Sequence, residues 1–133
     1  IIPKTLRRTM EQVMNKVLVV DDSQTARNYH RSILQGGGFD TLTAVDGADG
    51  LEKLLENPVD IILTDVNMTK MNGYEFIRRV RRMAEYVAVP IVIISTNRRA
   101  EDKREGYTAG ANLYLTKPCQ PELLIESVRM LLP

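Results

Sequence analysis

Three stretches of the chain, residues 16–20, 60–65 and 90–95, are runs of branched apolar side chains that do not alternate with polar ones. Each run ends at a polar residue. Continuous apolar runs of this length are the mark of strands buried on both faces, as in a parallel sheet. Residues 39–44 and 113–116 are weaker strand candidates. Between these runs the period turns helical. Ala26, Tyr29, Ile33 and Leu34 share one face, and Gly36, Gly37 and Gly38 stop that helix. Leu51, Leu54 and Leu55 mark a second, closed at Asn57-Pro58 because the residue before proline disfavours the α region. Phe76, Ile77, Val80 and Met83 mark a third. Residues 99–109 are mostly polar, with Tyr107 and Ala109 among few apolar positions, so the fourth helix is expected to be the least anchored. Pro121 opens a fifth, whose apolar face is Leu124, Ile125, Val128 and Leu131.

Strand and helix thus alternate five times. This pattern predicts an α/β fold: a parallel sheet covered by helices on both faces, joined by right-handed crossovers. Periodicity does not give the strand order. Ligands in such sheets bind beyond the carboxyl ends of the strands. Residues 1–15 stand outside the alternation. Leu6, Met10, Val13 and Met14 have the spacing of a short amphipathic helix, and this segment is read as an N-terminal extension or linker before a domain at 16–133.

Composition narrows the field. The 133 residues suit one domain, and 18 Lys+Arg against 17 Asp+Glu, a net charge of +1, speak against a dedicated nucleic-acid binder. A single cysteine, Cys119, excludes an internal disulfide and a cysteine-built metal site, and fits a reducing cytoplasm. Having one histidine excludes His-rich metal sites. His30 is expected at the surface or its boundary, and Arg78, Arg79, Arg81 and Arg82 as a solvated helix face. No apolar run reaches the roughly 20 residues that a membrane-spanning helix needs.

Chemistry gathers at the strand ends. Asp21 and Asp22 follow the first strand, Asp65 ends the third, Ser95 ends the fourth and Lys117 follows the fifth. Taken singly, an Asp or Ser there is commonly a helix cap. Together they put three carboxylates, a hydroxyl and an ammonium at one edge of the expected sheet. Two carboxylates about 5 Å apart repel by roughly 3 kcal/mol at an effective dielectric near 20, so the set calls for a cation. Oxygen-only donors favour Mg²⁺. A phosphate arriving there would meet a metal ion, an ammonium and a carboxylate able to attack it.

Residues 17–23 (VLVVDDS), 63–68 (LTDVNM) with Met71-Asn72-Gly73, Ile94-Ser95-Thr96 and residues 115–118 (LTKP) resemble the receiver domain of bacterial two-component response regulators, of the CheY-like type. Asp22, Asp65, Ser95 and Lys117 follow one another at intervals of 43, 30 and 22 positions, as in that family. The resemblance spans residues 16–132 and implies a flavodoxin-like sheet in the order 2-1-3-4-5 with five helices. It further implies that Asp65 is the phosphoacceptor. Asp21, Asp22, Asp65 and the main-chain carbonyl of Asn67 are then the Mg²⁺ site, and Lys117 binds the phosphoryl group before a cis Pro118. Ser95 is the switch hydroxyl, Tyr114 the aromatic switch, and Gly73 a backbone-permissive residue closing the loop after the acceptor. The implied partners are a histidine kinase or phosphotransfer protein as donor, and a downstream protein target met through the fourth helix, fifth strand and fifth helix. The resemblance implies no direct binding of nucleic acid or membrane. It implies a cytoplasmic signalling switch that catalyses only its own phosphorylation and dephosphorylation.

Some positions depart from the common pattern. Thr69 stands where proline is usual and is expected to loosen its loop. Thr96 replaces a smaller residue, and Cys119 replaces an apolar one, where packing is the expected role. Asn67 and Asn97 occupy positions that tune aspartyl-phosphate lifetime in the family. The chain ends at Pro133, soon after the fifth helix, which leaves a stand-alone regulator or a receiver cut from a larger regulator or hybrid histidine kinase. A dehalogenase-like, Mg²⁺-dependent phosphatase would need an acid two residues after its nucleophile. Asp21 and Asp65 find Ser23 and Asn67 there. A flavodoxin-like electron carrier would need a phosphate-binding loop where Asp21 and Asp22 stand.

Overall fold

The structure is a computed structural model that describes residues 14–133. Of the amphipathic pattern of residues 1–15, Leu6, Met10 and Val13 therefore fall outside the described residues. Five strands and five helices alternate: β1 Lys16–Val20, α1 Gln24–Gly36, β2 Asp40–Ala44, α2 Gly47–Glu56, β3 Ile61–Thr64, α3 Gly73–Arg81, β4 Ile91–Ser95, α4 Ala100–Ala109, β5 Leu113–Thr116 and α5 Pro121–Leu131. A 3-10 turn at Ala84–Tyr86 joins α3 to β4. All strand pairs are parallel, in the order β2-β1-β3-β4-β5. This is the flavodoxin-like order, with its reversal at β1 and β3.

The strand runs are apolar throughout because each serves two cores. Leu18, Val20, Ile62, Ile91 and Ile93 face a core with Phe76, Ile77 and Val80 of α3 and Leu54 of α2. Val17, Val19, Ile61, Leu63, Val92 and Ile94 face the other, with Leu34 of α1 and Leu124 and Val128 of α5. Full burial of each such side chain contributes about 1.5–3 kcal/mol, so the three inner strands dominate stability. Side-chain caps start the helices that follow β1, β2 and β3. Ser23 Oγ accepts from Ala26 N (3.2 Å), Asp46 Oδ1 from Asp49 N (2.8 Å) and Asn72 Oδ1 from Glu75 N (3.0 Å).

Several expectations are corrected. On α1 the buried stripe is His30 and Leu34, while Tyr29 is 52% exposed. His30, at 5% exposure, is thus interior and not a surface residue. Leu55 is exposed, leaving Leu54, with Leu51 partly buried beside the same core, to carry α2. The helix α3 ends at Arg81, so Met83 packs from beyond it. The arginine cluster divides. Arg78 and Arg79 pair with Glu75 on the helix surface. Arg81 instead folds back to donate to the carbonyls of Gly110 (2.7 and 3.1 Å), Tyr86 (3.0 Å) and Val89 (2.6 Å) and to Asn112 Oδ1 (3.0 Å). It clasps the turns before β4 and β5. The helix α4 buries only Gly106 and Ala109, as its sparse pattern implied. A Cβ at Gly106 would lie 2.7 Å from Ile93 Cδ1 and 3.1 Å from the Tyr114 ring, so the helix backbone itself rests on the sheet.

Candidate functional site

The polar residues at the strand ends meet at the carboxyl edge of β1, β3, β4 and β5, with Lys117 at the centre. Its Nζ donates to Asp21 Oδ2 at 3.0 Å and to Asp65 Oδ2 at 3.2 Å. Each acid is fixed by a second bond, Asp21 Oδ1 accepting from Ser23 N (2.9 Å) and Asp65 Oδ1 from Val66 N (2.7 Å). Arg27, which the sequence reading passed over, donates to the Asp21 carbonyl at 2.7 Å and holds α1 against the loop. Lys117 precedes Pro118 across a cis peptide bond.

Both acids are nearly enclosed, Asp21 at 2% and Asp65 at 8% exposure. Burial pushes the Asp65 carboxyl above the ordinary carboxylate range. The Lys117 charge opposes that push, and Asp21 reinforces it. Burial pulls the Lys117 ammonium down, but its bond to Asp21 and the two nearby negative charges outweigh this, and its proton is held more tightly than usual. The ammonium is thus a built-in counter-ion to a pair of carboxylates that would otherwise repel.

Gly73 is required for a reason other than turn conformation. A Cβ there would sit 2.1 Å from the Asp65 carbonyl oxygen, and Gly73 N donates to Val66 O at 2.8 Å. The first turn of α3 therefore packs directly on the backbone that presents Asp65. The positive φ of this loop is at Lys70 (69°).

Ser95, fully buried, accepts from Asn97 N at 3.1 Å. Asn97 and Asn67 exchange amide hydrogen bonds of 3.1 and 3.3 Å, tying the loop after β3 to the loop after β4. The Tyr114 hydroxyl donates to Asn97 O at 2.8 Å, and its ring is turned inward at 7% exposure. Burial pushes this phenol up, as it does that of Tyr74, whose hydroxyl meets Asp102 O of α4 at 3.1 Å. Asn97 is thus a junction between Ser95, Asn67 and Tyr114. Its position was legible in the sequence; its pairing was not, because no spacing rule links residues 30 apart on two different loops.

The donor set suits a small hard cation by type, being oxygen-only and net negative. Asp21 and Asp65 face a common point, which the Lys117 ammonium holds. Asp22 is exposed, and no hydrogen bond ties its carboxylate to another described residue. Among the described residues no three His, Cys, Asp or Glu side chains are gathered as a ready metal cluster.

Comparison with known proteins agrees with this geometry. The family model of the response regulator receiver domain matches residues 17–129. Protein PilH of Pseudomonas aeruginosa is 34% identical, over 90% of this chain and 98% of its own. Chemotaxis protein CheY1 of Helicobacter pylori is 35% identical, over 88% and 96%. Sensor histidine kinase RcsC of Salmonella typhimurium is 35% identical over 84% of this chain, which spans 12% of that protein. The solved structure of chemotaxis protein CheY4 of Vibrio cholerae superposes with a TM-score of 0.86 at 39% identity, covering 90% of this chain and 99% of that one. No helix among the described residues is long and apolar enough to cross a membrane. With the sheet order, the acid pair after β1, the acid after β3 and the lysine after β5 all in place, the chain belongs to the response regulator receiver-domain family, of the CheY-like type.

Proposed function

We propose that this domain works as a phosphorylatable switch with Asp65 as the acceptor. Receiver domains act as signalling switches. An oxygen of Asp65 attacks the phosphorus of a phosphohistidine on a histidine kinase or phosphotransfer protein. An Asp65 O–P bond forms, the P–N bond breaks, and the electron pair returns to the donor imidazole. Such transfer is loose and in-line, and it needs positioning and charge neutralisation more than an acid or a base. Asp21, Asp22, Asp65 and the Asn67 carbonyl would hold Mg²⁺, which when bound supplies positive charge to the phosphoryl oxygens. Lys117 exchanges its bond to the Asp65 carboxylate for one to the new phosphoryl group, and Ser95 donates its hydroxyl to the same group. Through Asn97 this movement reaches Tyr114 and biases the face formed by α4, β5 and α5, where a downstream protein binds.

The observation that carries this reading is Lys117 held at 3.0 and 3.2 Å between the two buried acids, Asp21 and Asp65. An ammonium already bridging the acceptor is poised to follow the charge when a phosphoryl group arrives. Incubation with acetyl phosphate and Mg²⁺ should add the mass of one phosphoryl group. Asp65→Asn should abolish the gain, and EDTA should suppress it. Retained labelling of Asp65→Asn at a single site would overturn the assignment.

A further inference from the structure

The helix α4 buries only Gly106 and Ala109, and side-chain packing alone does little to fix it. Among the described residues a single hydrogen bond ties α4 to another helix or strand, and it comes from α3. The Tyr74 hydroxyl donates to Asp102 O, in the first turn of α4, at 3.1 Å. The loops at the two ends of α4 are fastened separately, Arg98 donating to Lys117 O before it and Arg81 to Gly110 O after it.

Tyr74 is itself held firmly. Its side chain is buried, and its backbone follows Gly73, the residue that packs on the Asp65 carbonyl and donates to Val66 O at 2.8 Å. One end of this side chain is therefore set by the backbone that presents Asp65, and the other end grips α4. The Tyr114 hydroxyl is its neighbour. Burial first, and that neighbour next, push the Tyr74 phenol up, so it keeps the hydrogen it gives to Asp102 O. Tyr114 gives its own hydrogen to Asn97 O at 2.8 Å, and Asn97 N donates to Ser95. A turn of the Tyr114 ring would therefore disturb the Tyr74 hydroxyl and its hold on α4 together.

We propose that Tyr74 is a positioning residue for the switch. Its hydroxyl latches α4 in the place that the helix occupies while Lys117 bridges Asp21 and Asp65, and the latch opens when a phosphoryl group on Asp65 draws Ser95 and Tyr114 out of place. This rests on the reading of Asp65 as the phosphoacceptor. A bond made only in the resting arrangement opposes the phosphorylated one, and the opposition acts equally in both directions. Removing the latch therefore loosens α4 and also strengthens the binding of a phosphoryl-like group at Asp65. It does so although Tyr74 makes no hydrogen bond to Asp21, Asp65 or Lys117.

Tyr74→Phe deletes only the hydroxyl. Tyr86→Phe is the control, because it deletes an equally buried hydroxyl that donates to Leu54 O and Asn57 O and not to α4. In the full chain without a phosphodonor, amide hydrogen exchange over residues 104–109 should be about three- to ten-fold faster in Tyr74→Phe, the range of one lost hydrogen bond, and unchanged in Tyr86→Phe. Beryllium fluoride with Mg²⁺, a mimic of a phosphoryl group on a carboxylate, is then titrated and followed by fluorine NMR. Its half-saturating concentration should fall at least about two-fold in Tyr74→Phe and stay at the wild-type value in Tyr86→Phe. A residue with a merely structural role would leave that binding alone or weaken it. Exchange in Tyr74→Phe no faster than in Tyr86→Phe overturns the latch, and so does unaltered or weaker beryllium fluoride binding. Absence of beryllium fluoride binding in the wild type would instead overturn the phosphoacceptor reading, and the coupling proposed here with it. Should Tyr74→Phe lose its native amide spectrum, Tyr74→Leu, which also lacks the hydroxyl, decides by the same two measurements.

Discussion

Lys117→Met keeps most of the side-chain length and removes the charge, and so asks how much of the site's integrity rests on one ammonium. Its ion pairs at 3.0 and 3.2 Å represent about 5 kcal/mol of gross attraction each at an effective dielectric near 20. Most of that is offset by taking the three charges out of water. The relevant quantity is the cost of leaving two carboxylates, 2% and 11% exposed at their side chains, without a cation. Breaking a buried pair from one side costs about 3–5 kcal/mol, and the 19% exposure of Lys117 puts the expectation at the low end, about 3 kcal/mol. Urea unfolding in EDTA at neutral pH measures it. Adding Asp65→Asn to Lys117→Met should recover at least about half the loss, because one stranded charge is gone. Lowering the pH should do the same. A carboxyl whose folded-state pKa is raised contributes stability that is present below its ordinary 3.8 and lost as pH rises through the raised value, so acid relieves the variant. A single variant within about 0.5 kcal/mol of wild type, or a loss that neither acid nor Asp65→Asn reduces, would refute the reasoning.

Gly73→Ala, stabilising in an ordinary helix, should here cost about 2–3 kcal/mol in thermal unfolding, because the new Cβ would lie 2.1 Å from the Asp65 carbonyl oxygen. A neutral result would mean that the loop after β3 yields freely. Arg81→Met should cost about 3 kcal/mol through its five lost hydrogen bonds, while Arg78→Met should unfold close to wild type. Equal effects in urea unfolding would dissolve the distinction between clasp and surface pair. His30→Phe should raise stability by about 1 kcal/mol by removing a buried unpaired nitrogen. Burial lowers the His30 pKa, so its contribution is present above 6.5 and lost as pH falls from there through the lowered folded value, and the gain should widen in acid. Parallel pH profiles for wild type and variant would count against an interior, unpaired imidazole.

The fold was legible because the inner strands announce themselves. Val17 to Val20 and Ile91 to Ile94 have no polar position to expose, and only a sheet covered on both sides tolerates that. Helix faces were less legible where the amphipathic signal was carried by residues of mixed character. Tyr29 counts as apolar in a pattern and His30 does not, yet the helix turns His30 inward and Tyr29 out. Arg81 shows the same limit. Its identity is that of its neighbours on α3, and only the tertiary position of Gly110, Tyr86 and Val89 decides that its guanidinium folds back. The acids and the lysine of the site could be read from strand ends because a parallel sheet brings those ends together. Which of them touch could not, since that depends on side-chain reach across two strands.

What the structure adds to the strand-end residues is a route between them and the fourth helix. Ser95 is bonded to Asn97 N, the Asn97 amide to Asn67 beyond Asp65, and the Asn97 carbonyl to the Tyr114 hydroxyl. The Tyr114 ring lies under Gly106, where a Cβ would find it 3.1 Å away, so the ring and α4 meet without slack. A second link leads to α4 from Tyr74 of α3 through Asp102 O. Displacing Ser95 toward a phosphoryl group on Asp65 would thus disturb Asn97 first, then both the loop beside the acceptor and the ring beneath α4. The helix that the proposed switch would move is also the one holding the sheet with only Gly106 and Ala109 buried. Its sparse apolar pattern, a weakness when read as packing, leaves little buried side-chain surface to resist a change in its position.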